Sequence, residues 1–244
     1  MCGKEIGVGP YIAIIPARGG SKRIPRKNIR PMDGVPLIGR TIDTAHRSGL
    51  FERVVVSTDD DEIAEIARSF GADVPFKRPE ELSDDLCPTR PVIAHAIEFL
   101  LEVEKCVFSS TCVMYPAAVL AFPDDLKLAL DLFQSGEVDQ VFSAAKFPAP
   151  IQRSWLLSTD GLATFREPEN FNRRSQDLLE TFYDAGQFYW STNNYWLSNR
   201  PEETYRRRLY ELPRDRVCDI DTEDDWRFTE LLLSLRSGQV GRPE

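Results

Sequence analysis

What most constrains this chain is a repeated alternation. Short continuous runs of apolar and β-branched residues are each followed by a polar loop and a segment of helical period. Tyr11–Ile15 (YIAII) is closed by Pro16, and Arg53–Ser57, Cys112–Tyr115 and Gln140–Ala144 have the same character. Runs of this length without polar alternation belong to strands covered on both faces. Between them, a helix is predicted from about Leu37 to Ser48, with Gly49 as its stop. A second follows Asp60 or a neighbour as its cap, with Ile63, Ile66, Ala67 and Phe70 at i, i+3, i+4 and i+7, and ends at Gly71. Pro91 marks the first turn of a third, carrying Val92, Ile93, Ala96, Ile97, Leu100 and Leu101. Asp125–Ser135 is a fourth, stopped by Gly136. Asp73–Phe76 and Gly186–Trp190 are expected as further strands. Thr222 begins a last helix whose first turn holds Glu223, Asp224 and Asp225, favourable against the helix dipole. Repeated βα units of this kind imply an α/β fold: a mostly parallel sheet with helices on both faces.

The rhythm breaks from Lys146 to about Thr181, a stretch rich in Pro, Arg, Asn and Ser with isolated aromatics. One domain over residues 1–244, with an inserted lobe or dimerisation arm at about 146–181, is the expected organisation. A net charge of −9 argues against a general nucleic-acid binder, which carries a basic face. No apolar run approaches the roughly 18–20 residues of a membrane span. The N-terminal MCGKEIGVGP lacks an apolar signal segment, so a cytoplasmic protein is expected. Cys2, Cys87, Cys106, Cys112 and Cys218 form no CxxC pair or zinc spacing and are expected as reduced thiols. His46 and His95 fall within predicted helices, with no Ser or Cys partner near in sequence, and are read as structural.

Against that acidic background, the loop after the first strand stands out. Arg18, Lys22, Arg23, Arg26, Lys27 and Arg30 lie within thirteen residues (18–30) that hold no acid. In open α/β sheets, ligands bind beyond the carboxyl ends of the strands, where this loop lies. Gly19 and Gly20 allow close backbone approach, and successive N–H groups can form an anion nest. Neither GxxxxGK[ST] nor GxGxxG is present, which makes a nicotinamide oxidoreductase a poor reading. A triphosphate site and a solvated basic loop both fit the composition.

A second feature is Asp219-Ile220-Asp221, at what reads as the end of a late strand. Strand residues two apart face one side, so both carboxylates can address one site. Hard oxygens suit Mg²⁺, yet D-x-D also arises by chance, and Asp221 also stands beside the expected helix start at Thr222. The acidic runs Asp59–Asp61 and Asp84–Asp85 read as helix capping and loop structure.

IIPARGGSKRIPRKN closely resembles the signature loop of the nonulosonic-acid cytidylyltransferases, and VSTDDDEIAEIARSFGADVPFKRPEELSDD and DIDTEDDW continue the likeness. The resemblance runs from about Tyr11 to Leu235 and implies a Rossmann-like nucleotidyltransferase fold acting on CTP. It implies that the loop Ala17, Arg18, Gly19, Gly20, Ser21, Lys22, Lys27 and Asn28 binds the nucleotide, with Arg78, Asp84 and Thr89 beside it. Lys27 and Arg18 would act at the reacting phosphates, and Asp219 and Asp221 would carry Mg²⁺. A homodimer is implied in the same way.

FPAPIQR, FNRRSQDL and YDAGQFYW look most like the pseudaminic acid branch. The acidic nine-carbon sugar is therefore expected near Tyr115, Arg153, Arg174, Gln176, Asp184 and Gln187. A cation for its carboxylate and aromatic surface for its acyl groups are what such a ligand needs. Legionaminic, sialic and keto-deoxyoctulosonic acids are alternative substrates. The sequence departs from the family at Val113–Val119, where Ala117 and Val119 replace the usual Thr and Pro; a non-catalytic nucleotide binder on the same fold is the rival that this departure keeps open.

Overall fold

The computed structural model describes residues 9–236. Its centre is a six-stranded sheet built from β1 (Tyr11–Pro16), β4 (Phe51–Ser57), β5 (Ser110–Met114), β6 (Gln140–Lys146), β9 (Phe182–Thr192) and β10 (Arg207–Glu211). The order is β10-β6-β9-β5-β1-β4. β1 pairs parallel with β4 and β5, and β10 parallel with β6, whereas β9 runs antiparallel between β5 and β6. The sheet is thus mostly parallel, as the βα rhythm predicts.

Both faces are covered. On one, α1 (Leu37–Ser48), α2 (Asp61–Ser69) and α4 (Pro123–Gln134) bring Ile38, Ile42, Ile63, Leu126 and Phe133 against Ala13, Ile15, Val54 and Val56. On the other, α3 (Thr89–Glu98) and α5 (Asn193–Leu197) bring Ile93, Ile97, Tyr195 and Trp196 against Ile12, Ile14, Val55 and Val113. Successive residues of β1 therefore serve opposite cores, which is why its sequence is apolar throughout. His46 lies in α1 and His95 in α3.

Local signals behave as their chemistry demands. Asp60 accepts from the Ile63 N–H at 2.9 Å and caps α2. Gly49 closes α1 in the left-handed region at φ 67°. Asp33 (φ 50°) and Gly34 (φ 74°) form a two-residue turn between β2 (Pro31–Met32) and β3 (Val35–Pro36). Two positive φ values there are what a type I′ hairpin requires. A third cluster, with Ile24, Met32, Leu37, Ile220 and Trp226, packs this hairpin against α6 (Glu223–Arg236).

α2 ends as expected: Phe70 is its C-cap, and Gly71 follows in the left-handed region at φ 87°. Two expectations are corrected. Asp73–Phe76 makes only an isolated bridge to β4, at Val55↔Asp73, with another just beyond both segments at Thr58↔Lys77, because Pro75 has no N–H to continue a ladder. Asp219 does not end a strand: the late strand is β10, and residues 212–222 after it form a short 3₁₀ turn (Arg214–Arg216) and loop.

Between β6 and β9 the chain makes an excursion. It holds the hairpin β7 (Trp155–Leu157) and β8 (Ala163–Phe165) and several 3₁₀ turns. Edge-on contacts of Phe165 with Trp155 and Phe171 knit it internally. Cys87, Cys106, Cys112 and Cys218 are free thiols, while Cys2 and the N-terminal leader reading fall outside the described residues. Among the described residues, no helix is long and apolar enough to cross a membrane.

Candidate active site

The carboxyl ends of β1 and β5 open onto a cavity of about 540 Å³. Its lining contains Arg18, Ser21, Lys27, Asn28, Arg78, Asp84, Thr89, Tyr115, Asp184 and Asp219, all singled out from sequence. Residues as far apart as Arg18 and Asp219 meet here because the parallel sheet delivers its strand ends to one side.

The basic loop is held from below. Ala17 donates its N–H to the Ser57 carbonyl at 2.9 Å, and Asn28 Nδ2 donates to the Arg18 carbonyl at 2.9 Å. The Gly19 N–H is bound to Asp59 Oδ1 at 3.0 Å, and neither Gly19 nor Gly20 has a positive φ. The expected glycine nest of free N–H groups is therefore not formed. Gly19 is needed for another reason: a Cβ there would lie 2.5 Å from Asp60 Oδ2, whereas one on Gly20 would meet nothing within 4 Å. Arg18 and Lys22 both form ion pairs with Asp85; Arg18 lines the cavity, whereas the exposed Lys22 lies outside the lining.

Lys27 is the deepest cation of the loop. Its Nζ donates to the Ile220 carbonyl at 2.7 Å and lies 3.8 Å from Asp221 Oδ1. Burial pushes its pKa down, while the Asp221 and Asp219 charges oppose that shift. Arg78 is 5% exposed; its Nε donates to Ser57 Oγ at 3.1 Å and its Nη2 to the Ser57 carbonyl. Burial lowers its pKa too. No carboxylate pairs with it among the described residues, which leaves a desolvated cation beside an open cavity.

Asp219 lines the cavity, and Asp221 stands beside it, paired with Arg23 at 2.7 Å. Asp225 accepts from the Asp221 and Thr222 N–H groups and holds this loop at the start of α6. Burial, and then the Asp221 charge, raise the Asp219 pKa. Two carboxylates that repel one another in a half-buried loop suit a hard divalent cation. Among the described residues, no third His, Cys, Asp or Glu joins them as a metal-holding group. That donor set fits Mg²⁺, which keeps waters and takes phosphate oxygens as further ligands.

Across the cavity, Tyr115 Oη and Thr89 Oγ1 lie 2.6 Å apart, and burial raises the Tyr115 pKa. The departure at Ala117–Val119 follows: Ala117 lines the cavity, and Ala118 and Val119 are buried. Asp184 accepts from the Tyr189 hydroxyl and the Gly186 N–H, each at 2.8 Å. Tyr189 and Gly186 also line the cavity, although neither belongs to the expected set of sugar residues. Strand alternation from Asp184 selects Gly186 and Phe188, but a bulge intervenes. Phe142 pairs Tyr189 and Ala144 pairs Asp184, so a two-residue step on β6 faces a five-residue step on β9. Gly186 bends the bulge at φ 63°, and Ser143 Oγ accepts the Gln187 and Phe188 N–H groups at 3.2 and 3.1 Å. Phe188 is thereby core and Tyr189 faces the site.

Four expected sugar residues lie outside the lining. Arg153 and Arg174 are exposed on the excursion, with Arg153 Nη1 donating to Ser175 Oγ at 3.3 Å. Gln176 lines a separate cavity of about 460 Å³ with Lys146–Pro150. Gln187 is 2% exposed, and its Nε2 donates to the Arg216 carbonyl at 2.6 Å. Isolated polar residues in an irregular segment carry no periodicity that could have fixed their direction.

A family model described as cytidylyltransferase matches residues 12–111. The chain is 41% identical to a pseudaminic acid cytidylyltransferase of Campylobacter jejuni, over 92% of this chain and 96% of that one. It is 32% identical to a CMP-N,N'-diacetyllegionaminic acid synthase of Legionella pneumophila, again over 92% and 96%. A solved CMP:2-keto-3-deoxy-manno-octonic acid synthetase complexed with CTP superposes with a TM-score of 0.67, covering 93% of this chain and 99% of that one at 16% identity. At that identity the likeness speaks for the fold alone.

Proposed function

This chain belongs to the nonulosonic-acid cytidylyltransferase family, and on that premise we propose that it transfers CMP from CTP to pseudaminic acid, releasing pyrophosphate. The observation that carries the reading is the single cavity in which desolvated cations (Lys27, Arg78) and Arg18 face a polar and aromatic wall (Tyr115, Asp184, Tyr189). A triphosphate matches the first group and an acylated acidic sugar the second.

The anomeric hydroxyl of the sugar attacks the α-phosphorus in line and pyrophosphate departs. Lys27 and Arg18 stabilise the charge that grows on the transferring and leaving oxygens, and Arg78 and Asn28 hold the nucleotide beside them. Transfers of this kind depend on positioning and electrostatics more than on covalent help from the protein. Mg²⁺, held by Asp219 and Asp221, would neutralise the triphosphate and polarise the α-phosphate.

The apolar side chains that the excursion exposes, Trp155, Leu157 and Leu162 among them, support a homodimer. An enzyme that consumes CTP works where CTP is held, which supports the cytoplasm.

The test is pyrophosphate release by the purified protein with CTP and Mg²⁺ across pseudaminic, legionaminic, sialic and keto-deoxyoctulosonic acids. Preferred release with pseudaminic acid, abolished by EDTA and restored by Mg²⁺, is the expected result. Preference for another sugar would reassign the substrate, and CTP binding without release would favour the non-catalytic reading.

A further inference from the structure

The six cations that follow the first strand look free in the sequence, yet the structure supplies each with an acid from elsewhere in the chain. Arg26 pairs with Asp60 and Glu62, Arg30 with Glu223, and Arg23 with Asp221, whose carboxylate also lies near Lys27. Arg18 and Lys22 share one partner, Asp85. Of these five acids, Asp85 alone lines the large cavity. It stands where the phosphates of a nucleotide would meet Arg18.

Asp85 is lightly attached. It sits in an exposed turn before α3, in which Leu86 is 88% exposed and donates its N–H to the neighbouring Asp84 carboxylate. The Lys22 ammonium, and then the Arg18 guanidinium, hold the Asp85 carboxyl below its ordinary range, so it is ionised at neutral pH. These pairs are open to water: the side chains of Lys22 and Asp85 are 82% and 29% exposed. Ion pairs of that kind contribute little and are screened by salt. The buried pair of the same chain is different in kind. Arg216 holds Asp125 through two hydrogen bonds at 2.6 and 3.0 Å, and the Asp125 side chain is 5% exposed. The Asp125 pair is permanent, whereas the Asp85 pairs can exchange for another anion.

We propose that Asp85 is a displaceable counter-ion: the triphosphate replaces it as the partner of Arg18 and Lys22, and it takes both cations back as pyrophosphate leaves. This rests on the nucleotide-transfer reading above. Arg18 cannot give the same donors to Asp85 and to a phosphate, and one carboxylate charge faces the several of a triphosphate, so the ligand wins. The competition weakens the binding of CTP, and it weakens the retention of pyrophosphate in the same way. Lys22, outside the lining, reaches the phosphates through this exchange.

The test uses two variants of the full chain. Asp85→Asn keeps the shape and removes the charge, and Asp85→Ser removes it differently, which guards against a folding fault peculiar to one replacement. Calorimetry with inorganic tripolyphosphate and with CTP should show each variant binding both about 3- to 10-fold more tightly than the wild type, the effect of freeing two exposed ion pairs. Pyrophosphate should inhibit turnover more strongly by a similar factor. Tripolyphosphate affinity that is unchanged or weaker in both variants would overturn the counter-ion role, and so would inhibition by pyrophosphate that is no stronger. Absence of pyrophosphate release with every sugar would instead overturn the transfer reading, and the tripolyphosphate comparison would still decide the role of Asp85.

Discussion

Lys27 Nζ donates to the carbonyl of Ile220 at 2.7 Å, joining the basic loop after the first strand to the loop that carries Asp219 and Asp221. The two ends of the chain thus share one ammonium group, which is both a strut and a charge at the cavity wall.

Replacing Lys27 with Ala should separate those roles. Loss of the strut removes one hydrogen bond, about 1 kcal/mol of stability. Loss of the charge should lower kcat about 10²- to 10³-fold, the usual effect of deleting a group that stabilises transition-state charge. Thermal denaturation and pyrophosphate release measure the two separately. Near-normal turnover in a folded variant would remove Lys27 from the reaction.

The paired glycines should respond very differently. Gly19→Ala drives a methyl into Asp60, the cap of α2, and should cost about 1–3 kcal/mol by overpacking. Gly20→Ala has open space and an ordinary backbone, so its melting temperature should match that of the wild type. Equal tolerance at both positions would contradict the packing described for the loop.

Ser143 accepts two strand N–H groups at the bulge that turns Tyr189 towards the cavity. Ser143→Ala leaves both buried donors unpaired and should destabilise the fold by about 1–3 kcal/mol. Because the bulge positions Tyr189, turnover should also fall at temperatures well below unfolding. A variant as stable and active as the wild type would show that the hydroxyl is dispensable.

Acid should weaken the chain partly through Asp60. The hydrogen bond from Arg26, aided by the Ile63 N–H, holds its pKa below the ordinary carboxylate value. A folded pKa below the unfolded one means stability that is full above the unfolded value, near 3.9, and lost as pH falls through the folded value. Melting temperatures between pH 5 and pH 2 should therefore fall more steeply for the wild type than for Asp60→Asn. Parallel slopes would place the acid sensitivity elsewhere.

Much of the architecture was legible because buried parallel strands announce themselves. Tyr11–Pro16 faces a core on each side, so every residue had to be apolar. Asp60 and Gly49 declared helix ends through requirements on side-chain acceptors and positive φ. The Asp33-Gly34 turn was equally legible by its composition, yet its hairpin was not foreseen. What stayed hidden depended on partners distant in sequence. β10 reads RRLYE because it is an edge strand whose residues are exposed or half-buried, so it offers no apolar run. Tyr189 escaped alternation because the bulge is created across the sheet from Ser143. Among the site residues, those on the basic loop and beside Asp219 were marked by charge density. Arg153 and Arg174 had only composition to recommend them, and composition does not give direction.

The neck of the excursion between β6 and β9 is closed by strand pairing itself. Lys146 faces Phe182, the Phe147 N–H binds the Thr181 carbonyl at 3.0 Å, and Lys146 pairs with Glu180. Whatever chain is spliced between those positions begins and ends at fixed, adjacent points on a finished sheet. Its closure entropy grows only slowly, by about 0.6 kcal/mol for each doubling of length. The excursion is thus a cassette: its length and surface can be rewritten, lengthened or exchanged while the strands that carry Ser143 and Asp184 keep their register.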